Sequence, residues 1–140
     1  MAHPMFALLV DTDPEMRQRI LDGRKSISIR RGHKDYGVGA KLMLSCHRIP
    51  WAALATITSV RHTTFHALRT EELMDDGFLN HDLAMIGLKK YYPNLNPYTA
   101  MTVIRWRDVE GFFVRHAMQH RSHPTALYRS IPEYYRRSIT

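Results

Sequence analysis

The chain has 140 residues, 44% of them hydrophobic and 24% charged, a composition that fits one folded domain and excludes a disordered chain. Its single cysteine, Cys46, excludes an internal disulfide framework and a multi-cysteine zinc site. No apolar run approaches the roughly 18 to 20 residues of a membrane span, and residues 1–10 lack the layout of a secretory signal, so a cytoplasmic protein with no membrane partner is expected.

Charge narrows the partner. Twenty Lys and Arg against thirteen Asp and Glu give a net charge of +7, which favours a polyanion such as nucleic acid. The excess is uneven: residues 111–140 hold five arginines, Arg115, Arg121, Arg129, Arg136 and Arg137, against Glu133 alone.

In chain order, residues 5–10 form an apolar run that predicts a first strand, ended by the turn residues Asp11, Thr12 and Asp13. Asp13 caps a helix over 14–21, Pro14 suits its first position, and Met16, Ile20 and Leu21 share one face. Gly23 stops it. Residues 26–30 alternate, so Ile27 and Ile29 face the core while Ser26, Ser28 and Arg30 line the opposite side. A glycine-containing loop over 31–39 leads to a buried strand at 42–46, and Pro50 interrupts the sheet. Small and β-branched residues at 53–60 predict another strand. Helices are predicted over 70–76 and 80–92, the second capped by Asn80 and carrying Leu83, Ile86 and the stem of Lys90 on one face. Pro93 and Pro97 break the chain. Residues 101–106 form the last strand, with Val103 and Arg105 on one face and Thr102, Ile104 and Trp106 on the other. Short helices are predicted around Pro132.

Three strands in succession without intervening helices argue against a doubly wound parallel sheet. The expected fold is α+β, a small, mostly antiparallel sheet curled against helices. Residues 1–110 are read as one domain, with 111–140 as a basic extension.

The dense run Gly23-Arg24-Lys25-Ser26-Ile27-Ser28-Ile29-Arg30 resembles the "Gly-x-Lys-Thr-x-Thr-Ile-Arg" signature of the ASCH domain family. Gly39 before Lys41-Leu42-Met43-Leu44, the 56–60 strand, and Asp76-Gly77-Phe78 before a helix ending at Tyr92-Pro93 agree in order and spacing. The resemblance covers about residues 5–110 and implies a PUA-like β-barrel with a cleft suited to RNA or a nucleoside. Some small bacterial members of that family are amidohydrolases of N(4)-acetylcytidine, acting through a lysine, a threonine and an acid. Others are RNA-binding or ribonuclease modules. By position the lysine is Lys25 and the threonine is Ser28, which keeps the hydroxyl; the acid falls in Asp75-Asp76-Gly77, with Asp76 the best candidate. The family's Gly-Asp before the third strand is Gly39-Ala40 here.

Amide hydrolysis needs a nucleophile, a base and donors for the developing oxyanion. Ser28 is the candidate nucleophile, Lys25 the base when held away from water, and Asp76 the group that orients Lys25 or donates to the leaving amine. Arg24, Ser26, Arg30 and Tyr36 are candidate substrate-binding residues. Arg115, Arg121, Arg136 and Arg137 are candidate contacts to nucleic acid. Trp51, Trp106, Tyr91 and Tyr92 are further candidates for stacking, although aromatics at strand and helix ends are commonly core. His116, His120 and His123 have metal-like spacing but no neighbouring acid or cysteine, so neither metal nor cofactor is expected. The expected partner is a modified nucleoside or RNA. An amidohydrolase is the first reading and an RNA-binding module the alternative.

Overall fold

A computed structural model describes residues 5–10, 13–46 and 50–110. The basic extension at 111–140, with Arg115, Arg121, Arg136, Arg137, the histidine trio and the helices around Pro132, lies outside them.

The described elements run β1 (Met5–Val10), α1 (Pro14–Leu21), β2 (Ile27–Arg31), β3 (Lys41–Cys46), β4 (Ala52–Thr64), a short 3-10 turn (Phe65–Ala67), α2 (Thr70–Asp75), α3 (His81–Lys89) and β5 (Ala100–Glu110). Asp13 caps α1 as expected, its Oδ1 accepting from the Glu15 N–H at 3.1 Å, and Pro14 opens the helix. Gly23 follows with φ +82°, and the Lys25 N–H donates to the carbonyl of Arg19, so the chain turns tightly from α1 toward β2.

The five strands form one curled sheet in the order β1-β3-β4-β5-β2. β1 runs parallel to β3, whereas the other three pairings are antiparallel. β4 and β5 are longer than the sequence reading, which ended them at 60 and 106. β4 pairs on to Thr64, opposite Ala100, and β5 on to Glu110, opposite Leu54, so backbone bonding carries the ladder past the apolar alternation at both ends.

Both faces of the sheet are covered. Leu42, Leu44, Ile57, Ile104 and Trp106 pack with Ile20 of α1 on one side. Ile27, Ile29, Met101 and Val103 pack with Phe65, Leu68, Leu73, Ala84, Leu88 and Leu95 on the other. The two-residue period of β2 and β5 therefore sorts side chains between two cores, as their alternation predicts. Trp51 and Trp106 are 5% and 3% exposed and belong to the first core, not to a stacking surface.

The third helix departs from expectation. It is shorter than 80–92, because Pro93 disfavours helical backbone just before it. Its buried face carries Ala84 and Leu88, while Leu83 and Ile86 point outward at 44% and 64% exposure. The expectation that Leu83 and Ile86 face inward is therefore corrected: Ala84 and Leu88 are the residues of this helix that join the core with Leu73 and Phe65. Asn80 caps it as expected, its Oδ1 accepting from the Leu83 N–H at 2.9 Å.

Candidate active site

In an open sheet the two edge strands are exposed, and here they are β1 and β2. Arg30 spans the seam between them. From β2 its Nη2 donates to the backbone carbonyl of Leu9 in β1 at 2.5 Å, while its Nε donates to Ser28 Oγ at 2.7 Å. Ser28 is 8% exposed and stands opposite Ile104 in the β2–β5 register, so it faces the core covered by α1. The predicted sharing of one strand face by Ser28 and Arg30 is thus realised as a direct hydrogen bond.

Lys25 reaches a different partner. It precedes β2 and its ammonium forms an ion pair with Asp76, 51 positions later; the two side chains are only 13% and 10% exposed. Asp76 closes α2, its N–H donating to the carbonyl of Glu72, and Gly77 at φ +102° then turns the chain away. Two further ion pairs fix α2 against the sheet. Glu72, 4% exposed, accepts from Arg61 Nε of β4 at 2.8 Å and from the Arg69 N–H at 2.8 Å, and Asp75 pairs with Arg105 of β5 at 3.0 Å. The carboxylates of this one short helix therefore meet cations from three other places in the fold, and the last meeting puts Asp76 on Lys25.

Burial raises the Asp76 carboxyl above its ordinary pKa, and the charges of Lys25 and Arg30 only partly offset it. That influence of Arg30 ties the two halves together, with Arg30 acting on Asp76 through its charge and on Ser28 through a hydrogen bond. No hydrogen bond joins Lys25 to Ser28 directly. Glu72, by contrast, is pushed up by burial but brought below its ordinary value by the hydrogen bonds from Arg61 and the Arg69 N–H and by their charge.

Beside the seam opens a cleft of about 660 Å³. Arg30 and Tyr36 line it, together with Arg31, Lys34, Ser45 and Tyr92; Lys25, Ser28 and Asp76 do not line it, and Ser28 sits one hydrogen bond behind it. Burial raises the Tyr36 phenol above its ordinary pKa, opposed by Arg30 and reinforced by Tyr92, which places these three groups near one another. Arg24 points elsewhere: its guanidinium is 61% exposed and bonded to Asp22 at 2.9 Å. Ser26 contributes its backbone carbonyl, which accepts from the Trp106 N–H at 3.0 Å.

Sequence reading passed over Ser45 and Lys34. Ser45 is the one hydroxyl in the buried run 42–46, an unusual place for a polar side chain and a usable signal. Lys34 was hidden among the charges of the glycine loop.

No family model matches the chain, and no curated protein matches it. Solved structures do. The ASCH protein of Zymomonas mobilis is 17% identical with a TM-score of 0.51, over 74% of this chain and 66% of that one. The chain thus spans just under two thirds of that structure. The ASCH domain of Lactobacillus crispatus JV V101 is 14% identical with a TM-score of 0.54, over 74% and 78%. A protein of Enterococcus faecalis V583 described by the family model DUF984 is 14% identical with a TM-score of 0.51, over 79% and 84%. Identities this low speak to architecture, and the architecture is the α+β, PUA-like fold of ASCH domains.

Proposed function

We propose that the chain is an amidohydrolase that removes the acyl group from N(4)-acetylcytidine-type pyrimidine nucleosides. The buried pairing of Lys25 with Asp76 supports this reading most, because two charges are withdrawn from water together within reach of the charge of Arg30, which donates a hydrogen bond to Ser28. Burial disfavours the Asp76 carboxylate, so Asp76 is placed to take a proton from Lys25, and the neutral amine that results acts as base.

Ser28 Oγ then attacks the acyl carbon, its proton passes to Lys25 Nζ, and the carbonyl becomes an oxyanion. Arg30, already donating to Ser28, supplies the nearest positive charge for it. Collapse breaks the carbon–nitrogen bond, the proton moves from Lys25 to the departing 4-amino nitrogen, and an acyl ester of Ser28 remains. Water cleaves that ester, releasing acetic acid and restoring the hydroxyl. Tyr36 and Arg30 hold the substrate from the cleft side.

Folded protein incubated with N(4)-acetylcytidine is expected to release cytidine and acetate in equal amounts, and Lys25→Ala to abolish the release. Intact substrate after long incubation with the folded wild-type chain would overturn the reading. The second reading, an RNA-binding module with or without ribonuclease activity, is favoured by the cleft cations Arg30, Arg31 and Lys34 and by the arginines of 111–140. It predicts RNA affinity that falls steeply with salt.

A further inference from the structure

Among the described residues, those that line the cleft include three cations and no carboxylate. Arg30 is committed to Leu9 and Ser28, but Arg31 and Lys34 have no carboxylate partner among the described residues. Their backbone is nevertheless fixed. The fully buried Thr102 accepts from the Lys34 N–H at 3.2 Å and donates to the Gly32 carbonyl at 2.5 Å, and the Gly32 N–H donates to the Ala100 carbonyl at 2.7 Å. The Arg31 guanidinium lies 5.9 Å from the centre of the Tyr92 ring, which restrains it over the same opening.

Deeper in, Ser45 is 4% exposed and its Oγ has no hydrogen-bond partner among the described residues. A buried hydroxyl left without a partner is costly, and a polar ligand atom is one group that would satisfy it. The cleft thus combines a polar floor, aromatic walls from Tyr36 and Tyr92, and a cationic rim.

We propose that the cleft takes a pyrimidine nucleotide rather than a neutral nucleoside, with Arg31 and Lys34 receiving a terminal phosphate monoester. This rests on the nucleoside reading of the cleft given above. The base and sugar enter between Tyr36 and Tyr92 toward Ser45, while the phosphate stays at the rim, where two cations without counter-charges favour a dianion. A neutral nucleoside leaves those cations without a partner, and an internal phosphodiester offers only a single negative charge.

Calorimetric titration of the full chain with cytidine 5′-monophosphate and with cytidine separates these cases, and neither compound is turned over. The nucleotide is expected to bind at least about tenfold more tightly at low salt. In Arg31→Ala/Lys34→Ala, both changes being at exposed side chains, that preference is expected to fall to about twofold while thermal unfolding stays unchanged. Equal binding of the two compounds by the wild-type chain, or a preference that survives the double substitution, overturns the inference. So does tighter binding of an oligocytidylate lacking a terminal phosphate. If the nucleotide preference holds but neither N(4)-acetylcytidine nor its 5′-monophosphate is hydrolysed, the inference stands and the hydrolase reading fails.

Discussion

Asp76 and Ser28 are both largely buried and both bonded to a cation, so substitution at either is read for stability and for turnover together. Because burial outweighs Lys25 and Arg30 in setting the Asp76 pKa, the ionised carboxylate does not repay its own removal from water. Asp76→Asn nevertheless leaves the buried Lys25 ammonium without its carboxylate, and is expected to cost about 3 kcal/mol in stability while lowering hydrolysis at least about 100-fold, read by thermal melts and cytidine release. The pH dependence has a definite sign. A carboxyl whose folded pKa lies above its unfolded value, near 3.9, adds stability that is complete below that value and lost as pH rises through the folded one. The stability of wild type relative to Asp76→Asn should thus decline with rising pH over that window, and a flat difference would refute the account. Ser28→Ala removes the proposed nucleophile and the acceptor of the Arg30 Nε–H together, whereas Ser28→Thr keeps a hydroxyl there. Turnover is expected to drop by about 1,000-fold or more in the first variant and to return substantially in the second.

At the scale of the element, α2 carries the site although it is only six residues long. Its propensity and length cannot hold it, so its position comes from Leu73 in the second core and from its ion pairs. Glu72→Gln replaces the acceptor of the Arg61 guanidinium and is expected to cost about 2 kcal/mol, measured by denaturant unfolding. Glu72 titrates in the sense opposite to Asp76. Held below its ordinary value by Arg61 and the Arg69 N–H, it adds stability above the unfolded range near 4.3 that is lost as pH falls through the folded value. Two acids one helical turn apart therefore tilt stability in opposite directions, and Glu72→Gln should blunt the acid-side loss alone. What could be read from sequence follows the same division. The capping of α1, the succession of strands and helices along the chain, and the inward alternation of Ile27 and Ile29 are local, and all are present; the spatial order of the strands is not local and was not read. The buried face of α3 was misread because apolar periodicity left Ala84-Leu88 and Leu83-Ile86 competing, and only tertiary packing decides between them. Asp76 was named through resemblance to a family. Nothing local marks it, since a helix-end aspartate before glycine is ordinarily solvated, and its burial depends on the distant Lys25.

For the whole molecule, the sheet separates two cores and leaves the Arg30 seam as the place where polar groups gather, so the site occupies the edge that the fold must close in any case. The described part also fixes what the remaining charge can be asked to do. Residues 111–140 carry a net +4 of the chain's +7, while Lys25, Ser28, Asp76 and the cleft all lie within 5–110. On the proposed hydrolase reading, turnover of a small molecule is expected to need only residues 5–110, whereas polymer binding draws on every cation near the backbone. Removing 111–140 is expected to leave kcat/KM for N(4)-acetylcytidine within about twofold, provided the melt confirms a folded domain. If RNA is a true partner, the same truncation should weaken oligoribonucleotide binding and lower the slope of log affinity against log salt, by about 0.7 for each single-strand phosphate that the extension neutralises. An unchanged slope assigns RNA binding to the domain itself, and a collapse of hydrolysis on truncation shows that the extension completes the active site.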